Sequence, residues 1–247
     1  KIRSVNLFGA SDYSTSTGYT KTLEEKKVTY YQDETEYEGG LQQKDSVIIN
    51  GMVVTYTIGE KSAASSSGAR VDLSQPEYVS ANKKIVRISF GIMKKYPNNR
   101  LSITDRDMNL SMNLSNLDVD EVSKVEKNLI SDADMRIILD RSSGPEGDQI
   151  RIRLPRGYRI IMNPFSINLN MQVRNTATRI KSFNGDTALM LNYAASNKSL
   201  YPGGIYIAYY DKETEKIQIM NTADLNGRVR SQISKTGEYV LIGKLVK

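Results

Sequence analysis

The sequence predicts an all-β fold, an antiparallel β-sandwich that is immunoglobulin-like or related. Apolar and polar residues alternate repeatedly, most strictly over residues 167–174, as they do in a strand with one buried and one solvated face. Turn-forming dipeptides, above all Asn50-Gly51, separate runs of β-branched and aromatic residues. Helical periodicity is nearly absent. These observations together favour two packed sheets over a helical architecture.

The same alternation predicts five further strands, over residues 101–103, 109–114, 135–139, 149–154 and 187–192. The strand at 149–154 is expected to stop at Pro155, because proline has no amide hydrogen for a sheet ladder.

Two hairpins are predicted from turn chemistry. Asn50-Gly51 joins residues 46–49 to residues 52–58, and this dipeptide suits the tight turn of a two-residue hairpin. The charged segment 211–215 separates residues 205–210 from 216–220, which we expect to pair in the interior of a sheet. Asn184-Gly185 and Asn226-Gly227 mark turns that flank other strands.

The best helical candidate covers residues 118–128. Asp118 is placed to cap its first turn, Glu121 to complete a capping box, and Leu117 to pack on Val122. A helix of about three turns would decorate a β fold without defining it.

Domain organisation is expected to change near residue 80. Residues 61–70 have the small, polar composition of a linker or long loop. Residues 1–80 carry 8 basic and 11 acidic side chains, whereas residues 81–247 carry 26 and 17. We therefore predict a main β-sandwich at 81–247, preceded by an N-terminal β extension or a small second β domain at 1–80.

Composition argues against catalysis. The chain contains no Cys, His or Trp. Thiolate nucleophiles, zinc–cysteine sites, serine–histidine triads and imidazole-based metal sites are therefore impossible, and a carboxylate pair or a Ser/Lys dyad is what remains for an enzyme. We expect a non-enzyme without a cofactor. A carboxylate-based glycoside hydrolase stays as the less favoured alternative.

Three Asp-x-Asp pairs raise the question of calcium: Asp105/Asp107, Asp118/Asp120 and Asp132/Asp134. Calcium takes six to eight oxygen ligands and often recruits such pairs. None continues into an Asp-x-Asp-x-Asp-Gly loop, so solvated loop carboxylates are the preferred interpretation and no metal site is predicted.

The main basic feature comprises Arg151, Arg153, Arg156 and Arg159. On a strand, Arg151 and Arg153 would share one face and could meet an anionic polymer. The alternative, which we favour, is the solvated face of a strand whose Ile150, Ile152 and Leu154 fill the core. Nucleic acid is not expected as a partner, since Tyr158 alone supplies an aromatic ring for stacking nearby.

The 15 tyrosines allow two interpretations. Tyrosine presents an apolar ring with a polar tip and so suits a carbohydrate or protein groove, but it is also a good strand former. We favour the structural use for the candidates, which are Tyr30, Tyr31, Tyr37, Tyr206, Tyr209 and Tyr210.

Several short motifs follow one another in the second part of the chain: Asn192-Tyr193, Tyr209-Tyr210-Asp211, and Ser234 to Tyr239 in the run S-K-T-G-E-Y. In this order they resemble β-sandwich modules of Gram-positive (clostridial and bacillar) cell-surface proteins, of the kind found next to S-layer-homology repeats. The resemblance covers roughly residues 83–247. The histidine and tryptophan usual in those modules are missing here, and no catalytic residue carries over.

The resemblance implies a non-catalytic extracellular module at the cell surface or cell wall, acting as a structural spacer or stalk or in adhesion. The alternative is a module that binds polysaccharide or protein, with a cell-wall polysaccharide or another surface protein as the partner. The longest apolar runs are far shorter than the roughly 20 residues that span a bilayer, so no membrane span is expected. Nor does the start of the sequence resemble a signal peptide.

Overall fold

The computed structural model describes residues 5–6, 9–10, 30–31, 37–38, 41–125, 127–141 and 145–246. Twenty strands account for most of it, and they are β1 (Val5–Asn6), β2 (Gly9–Ala10), β3 (Tyr30–Tyr31), β4 (Tyr37–Glu38), β5 (Leu41–Gln42), β6 (Ser46–Asn50), β7 (Val53–Thr57), β8 (Ala69–Asp72), β9 (Lys83–Ser89), β10 (Arg100–Asp105), β11 (Met108–Asn113), β12 (Ala133–Asp140), β13 (Tyr158–Val173), β14 (Thr176–Ile180), β15 (Ser182–Asn192), β16 (Ile205–Asp211), β17 (Lys216–Ile219), β18 (Ala223–Asp224), β19 (Arg228–Lys235) and β20 (Gly237–Lys244).

The helices of the described residues are short. They are α1 (Glu60–Ala63), α2 (Pro76–Val79), α3 (Phe90–Lys95), α4 (Asp120–Ser123), α5 (Pro145–Arg153) and α6 (Ala195–Leu200), with 3-10 turns at Leu114–Leu117 and Lys127–Asp132. Among the described residues, no helix is long and apolar enough to cross a membrane.

Two large sheets pack against each other, which confirms the all-β, sandwich-like fold. The ten-stranded sheet runs β17-β16-β20-β13-β12-β9-β7-β6-β3, with β14 also paired to β13. The six-stranded sheet runs β18-β19-β15-β11-β10-β8. Most neighbours are antiparallel as predicted, but β7 pairs with β9 and β8 pairs with β10 in parallel, so both sheets are mixed.

The core lies between the two sheets and follows from the alternation in the sequence. In β13, Ile167, Leu169 and Met171 point into the core, whereas the asparagines between them are half-buried on the other face. In β10, Leu101 and Ile103 do the same from the opposite sheet. The strands predicted at 101–103, 109–114, 135–139, 167–174 and 187–192 are confirmed.

Both predicted hairpins form. β6 and β7 pair across Asn50-Gly51, where Gly51 has φ 60°. β16 and β17 pair from Ala208 and Ile219 to Asp211 and Lys216. The expected interior position is wrong for one of the two strands, because β17 forms the edge of the ten-stranded sheet.

The predicted helix at 118–128 is wrong. The chain there forms a 3-10 turn at Leu114–Leu117 and a single α turn, α4, whose N-cap is Val119 and not Asp118. Leu117 and Val122 are both fully buried, so the apolar positions in this segment serve the sandwich core directly.

The strand predicted at 149–154 is also wrong, because these residues belong to α5 and the turn after it. Ile150 is fully buried in a small second core on the outer face of the ten-stranded sheet, against Ala208 and Val240. Leu154 packs on the same cluster, but Ile152 is 75% exposed. Residues four apart share one side of a helix, and Leu154, one residue past the end of α5, is half-buried on the same cluster as Ile150.

The segment 61–70, predicted as a linker or loop, contributes to the sandwich. It contains most of α1 and the start of β8, and Ala63 and Ala69 are buried. Gly68 has φ +76°, and a Cβ there would meet the Arg100 carbonyl oxygen at 2.1 Å, so only glycine fits. Strands from both sides of residue 80 share each large sheet. The division into an N-terminal β region at 1–80, as an extension or small second domain, and a main β-sandwich at 81–247 stays a prediction.

Candidate ligand-binding surface

The four arginines considered as a basic stripe do not share one face of a strand, because the chain is helical up to Arg153. Arg151 and Arg153 lie on α5, where residues two apart point in nearly opposite directions. Arg153 is engaged by Glu215, through a 2.7 Å ion pair and a 2.7 Å bond to the backbone oxygen. Arg151 donates to Asn163 Oδ1 at 2.9 Å, and Arg159 donates to the Tyr158 carbonyl.

Arg156 follows α5 as an exposed residue. The argument from a shared strand face therefore fails for this cluster. A weak attraction of its exposed charges for anions stays a prediction.

The interpretation of the Asp-x-Asp pairs as solvated loop carboxylates is wrong for Asp105 and Asp134, which are buried in strands and bound by arginines. Arg141 contacts both Asp105, at 3.0 Å, and Asp107, at 3.0 Å. Arg174 bonds to Asp132, whereas Arg87 and Arg136 both bond to Asp134. Among the described residues, no three Asp or Glu side chains converge to hold a metal ion.

The candidate tyrosines whose side chains are described pack within the fold. Tyr209 and Tyr210 are buried in the two cores, and burial raises the pKa of Tyr209. Tyr206 is half-buried, donates to the Gly203 carbonyl and packs edge-on against Tyr158. The side chains of Tyr30, Tyr31 and Tyr37 lie outside the described residues, so their use as a groove stays untested.

The outer face of the six-stranded sheet carries mostly polar and charged side chains, and we call it the polar face. Strand register places its side chains in rows across the sheet. It comprises Arg70 and Asp72 of β8, Arg100, Ser102 and Thr104 of β10, Asn109, Ser111 and Asn113 of β11, Ala188, Met190 and Asn192 of β15, and Arg228, Arg230 and Gln232 of β19.

The middle of the polar face is held by hydrogen bonds between side chains. Asn109 donates to Ser102 Oγ at 3.1 Å and to Thr104 Oγ1 at 3.0 Å. Arg100 Nε donates to Ser111 Oγ at 2.7 Å. These bonds fix the rotamers of short side chains, so the face presents hydroxyl and amide groups in defined positions without a large entropy cost on binding.

A groove of about 260 Å³ opens on this face. It crosses β10, β11, β15 and β19, and its polar lining comprises Arg100, Ser111, Asn113, Asn116, Asp186, Arg230 and Gln232. Arg230 is exposed and makes no ion pair or side-chain hydrogen bond to another described residue. The groove therefore combines hydrogen-bond donors and acceptors with accessible guanidinium groups.

A β-bulge in β15 shapes the rim of the groove. The pairing of β15 with β19 shifts register between Ser182 and Thr187, where Gly185 has φ +93°. Asn116 is buried and donates from Nδ2 to the Asp186 carbonyl at 2.7 Å, with a longer 3.5 Å contact to Thr187 Oγ1. This side chain thereby holds the bulge and turns Asp186 toward the groove.

A smaller cleft of about 170 Å³ lies where the two sheets meet. It is lined by Arg106, Arg141, Met162, Asn163 and Pro164, and Arg141 connects it to the buried Lys84–Asp105 pair. The guanidinium of Arg141 already serves Asp105 and Asp107, and that of Arg106 donates to the Val79 carbonyl. Because these groups hold protein partners, this cleft is weaker than the groove as a candidate site.

In comparisons with known proteins, no protein-family model matches the chain and no curated protein matches it.

Sequence reasoning missed the polar face as a site, although the signal was present. Arg100, Ser102 and Thr104, then Asn109, Ser111 and Asn113, are the polar positions of two alternating segments. What the sequence could not supply was the pairing that puts these positions beside Arg230 and Gln232, more than a hundred residues later.

Proposed function

We propose that the chain is a non-catalytic, glycan-binding module of a bacterial surface protein, and that it binds through the polar face. The surface location rests on the resemblance of the 192–193, 209–211 and 234–239 motifs. The observation that carries the binding function is the groove at Arg100 and Arg230, because exposed guanidinium groups, amides and a carboxylate line it together.

The groups of this surface can form hydrogen bonds with the hydroxyls of a glycan. Each hydroxyl both donates and accepts, and the groove offers amide groups from Asn113 and Gln232, donors from the arginines and the acceptor carboxylate of Asp186. Extended polymers suit an open groove on a sheet, where several weak contacts add along the chain.

The distribution of carboxylates favours binding without hydrolysis. Glycoside hydrolysis uses two carboxyl groups roughly 5–10 Å apart, one acting as acid and the other as nucleophile or base. Asp186 is the one carboxylate among the described residues that line the groove. Asp105 is buried and already held by Lys84 and Arg141.

The test is a binding screen of the full chain against immobilised polysaccharides, followed by titration calorimetry of those retained. We expect retention of at least one glycan, and a loss of that binding in Arg230→Gln. Arg156→Gln removes one exposed charge away from the polar face and should bind as the wild type does.

Two outcomes would contradict the proposal. A chain that retains no glycan and no purified wall polymer would instead support the spacer or stalk function. Release of reducing ends from a retained glycan would show that the chain is an enzyme.

A further inference from the structure

The polar face lacks a stacking platform for neutral sugars. Neutral glycans gain much of their affinity when the apolar face of a sugar ring packs on an aromatic side chain. On the polar face of the described chain no position is aromatic, and Met190 is the sole large apolar residue. Hydrogen bonds and charge must therefore supply the affinity of any ligand bound here.

The charges of the face are predominantly positive. Arginines stand at both sides of the central rows, with Arg70 on β8, Arg100 on β10, and Arg228 and Arg230 on β19. Asp72 and Asp186 oppose them, so four arginines stand against two carboxylates on the face and its groove. An anionic ligand therefore meets a net attractive field along the groove.

The spacing of the arginines suits a polymer with repeated anionic groups better than a single small anion. β10 and β19 are separated by β11 and β15, which is three inter-strand spacings or about 14 Å. The row of Ser111, Ala188 and Gln232 lies between the row of Arg100 and the row of Arg230, and its side chains are all small or polar. One small anion cannot reach both sides of the groove, but successive residues of one chain can.

We propose that the ligand of the groove is an acidic glycan, whose carboxylate or phosphate groups pair with Arg100 and Arg230 while its hydroxyls contact Asn113, Gln232 and Asp186. This inference rests on the proposed glycan-binding function and adds the class of glycan and its placement. A guanidinium pairs with either anion through two parallel hydrogen bonds, so carboxylate and phosphate share one recognition chemistry here.

The experiment titrates the full chain with four polymers: polygalacturonate for carboxylate, polyglycerol phosphate for phosphate, and dextran and uncharged galactan as neutral glycans. The protein variants are wild type, Arg100→Gln/Arg230→Gln and the matched control Arg156→Gln/Arg159→Gln. Both double variants lower the net charge by two, so long-range attraction changes equally in both.

We expect one or both anionic polymers to bind and the neutral ones to bind at least tenfold more weakly. Arg100→Gln/Arg230→Gln should weaken binding of the anionic polymer by about tenfold or more, and the control by less than about threefold, because paired charge-assisted hydrogen bonds are lost only in the first. Raising the salt from 50 to 300 mM should weaken the wild-type complex, since its contacts are exposed to counterions.

The possible failures separate the two proposals. Neutral glycans that bind as tightly as anionic ones, through the groove, would overturn the acidic ligand and leave the glycan-binding function standing. Equal losses in the two double variants would show unspecific charge attraction and overturn the placement. If none of the four polymers and no other glycan binds, both proposals fail.

Discussion

Lys84 and Asp105 form an ion pair that joins the two sheets inside the sandwich. Lys84 Nζ lies 2.5 Å from Asp105 Oδ1, and each side chain is at most 2% exposed. Lys84 belongs to β9 of the ten-stranded sheet and Asp105 ends β10 of the six-stranded sheet. The Leu73 carbonyl accepts a second bond from Nζ at 2.7 Å, and Arg141 binds the other oxygen of Asp105. Burial is the largest influence on Lys84 and lowers its pKa, so the ammonium depends on these partners.

Lys84→Met is expected to destabilise the fold by about 3–5 kcal/mol, because it leaves Asp105 buried with one of its two cations removed. Urea unfolding followed by circular dichroism measures this change. Lys181→Met is the matched control, since it breaks the exposed Lys181–Glu213 pair and should cost at most about 1 kcal/mol. Equal effects of the two substitutions would mean that Lys84 is not the structural cation described here.

A second polar cluster makes the stability depend on pH. Glu60 accepts hydrogen bonds from Lys95, Gln43 and Tyr96, and these bonds, that from Lys95 first, lower its pKa from 4.5 to about 2. Between pH 4.5 and 2 the unfolded chain therefore binds more protons at this position than the folded chain. The stabilisation from Glu60 is present above pH 4.5 and is lost as the pH falls toward 2.

Glu60→Gln tests this dependence through urea midpoints measured from pH 7 to pH 2. The difference between wild type and variant should be largest above pH 4.5 and shrink as the pH falls. Lys95→Met removes the main partner and should reduce the same pH dependence, and the two substitutions together should cost less than their sum. A difference that stays constant from pH 7 to pH 2 would contradict the lowered pKa.

The sequence predicted individual strands well because alternation is a local property. Residues 167–174 alternate since one face of β13 packs in the core, and no other part of the chain is needed to see it. The partners of each strand depend on residues far away. The parallel pairing of β8 with β10, which brings Arg70 beside Ser102, leaves no trace in either segment.

The sequence also did not indicate which charged side chains are buried. Lys83 and Lys84 are adjacent and identical in type, yet Lys84 is buried and Lys83 is half-buried, because neighbours in a strand face opposite sides of the sheet. The strand prediction for residues 149–154 was wrong for a different reason. Apolar residues at 150, 152 and 154 have the two-residue period of a strand. Residues 150 and 154, however, also have the four-residue spacing of one side of a helix.

The helix α5 can be tested by comparing two isoleucines. Ile150→Ala is expected to cost about 2–5 kcal/mol, because Ile150 fills the small core against Ala208 and Val240. Ile152→Ala should change stability by less than about 0.5 kcal/mol, since that side chain is 75% exposed. Chemical denaturation of the two variants gives both values. In a strand the two residues would share one buried face, so similar large losses would restore the strand interpretation.

Asn116 offers a way to disturb the groove without changing a charge. Its amide Nδ2 donates to the Asp186 carbonyl at 2.7 Å and thereby holds the β15 bulge that forms one rim. Asn116→Leu keeps a similar volume but removes the donor, so the Asp186 carbonyl loses its partner and we expect a loss of about 1–3 kcal/mol in unfolding free energy. Glycan binding should weaken as well, at a temperature where the variant is still folded, because Asp186 would no longer be held at the rim.

Asn184→Ala is the comparison, since Asn184 donates to the Asp118 carbonyl from the same bulge but does not line the groove. If Asn116→Leu lowers stability and leaves binding unchanged while Arg230→Gln abolishes it, the ligand contacts the arginine side of the groove and not the bulge.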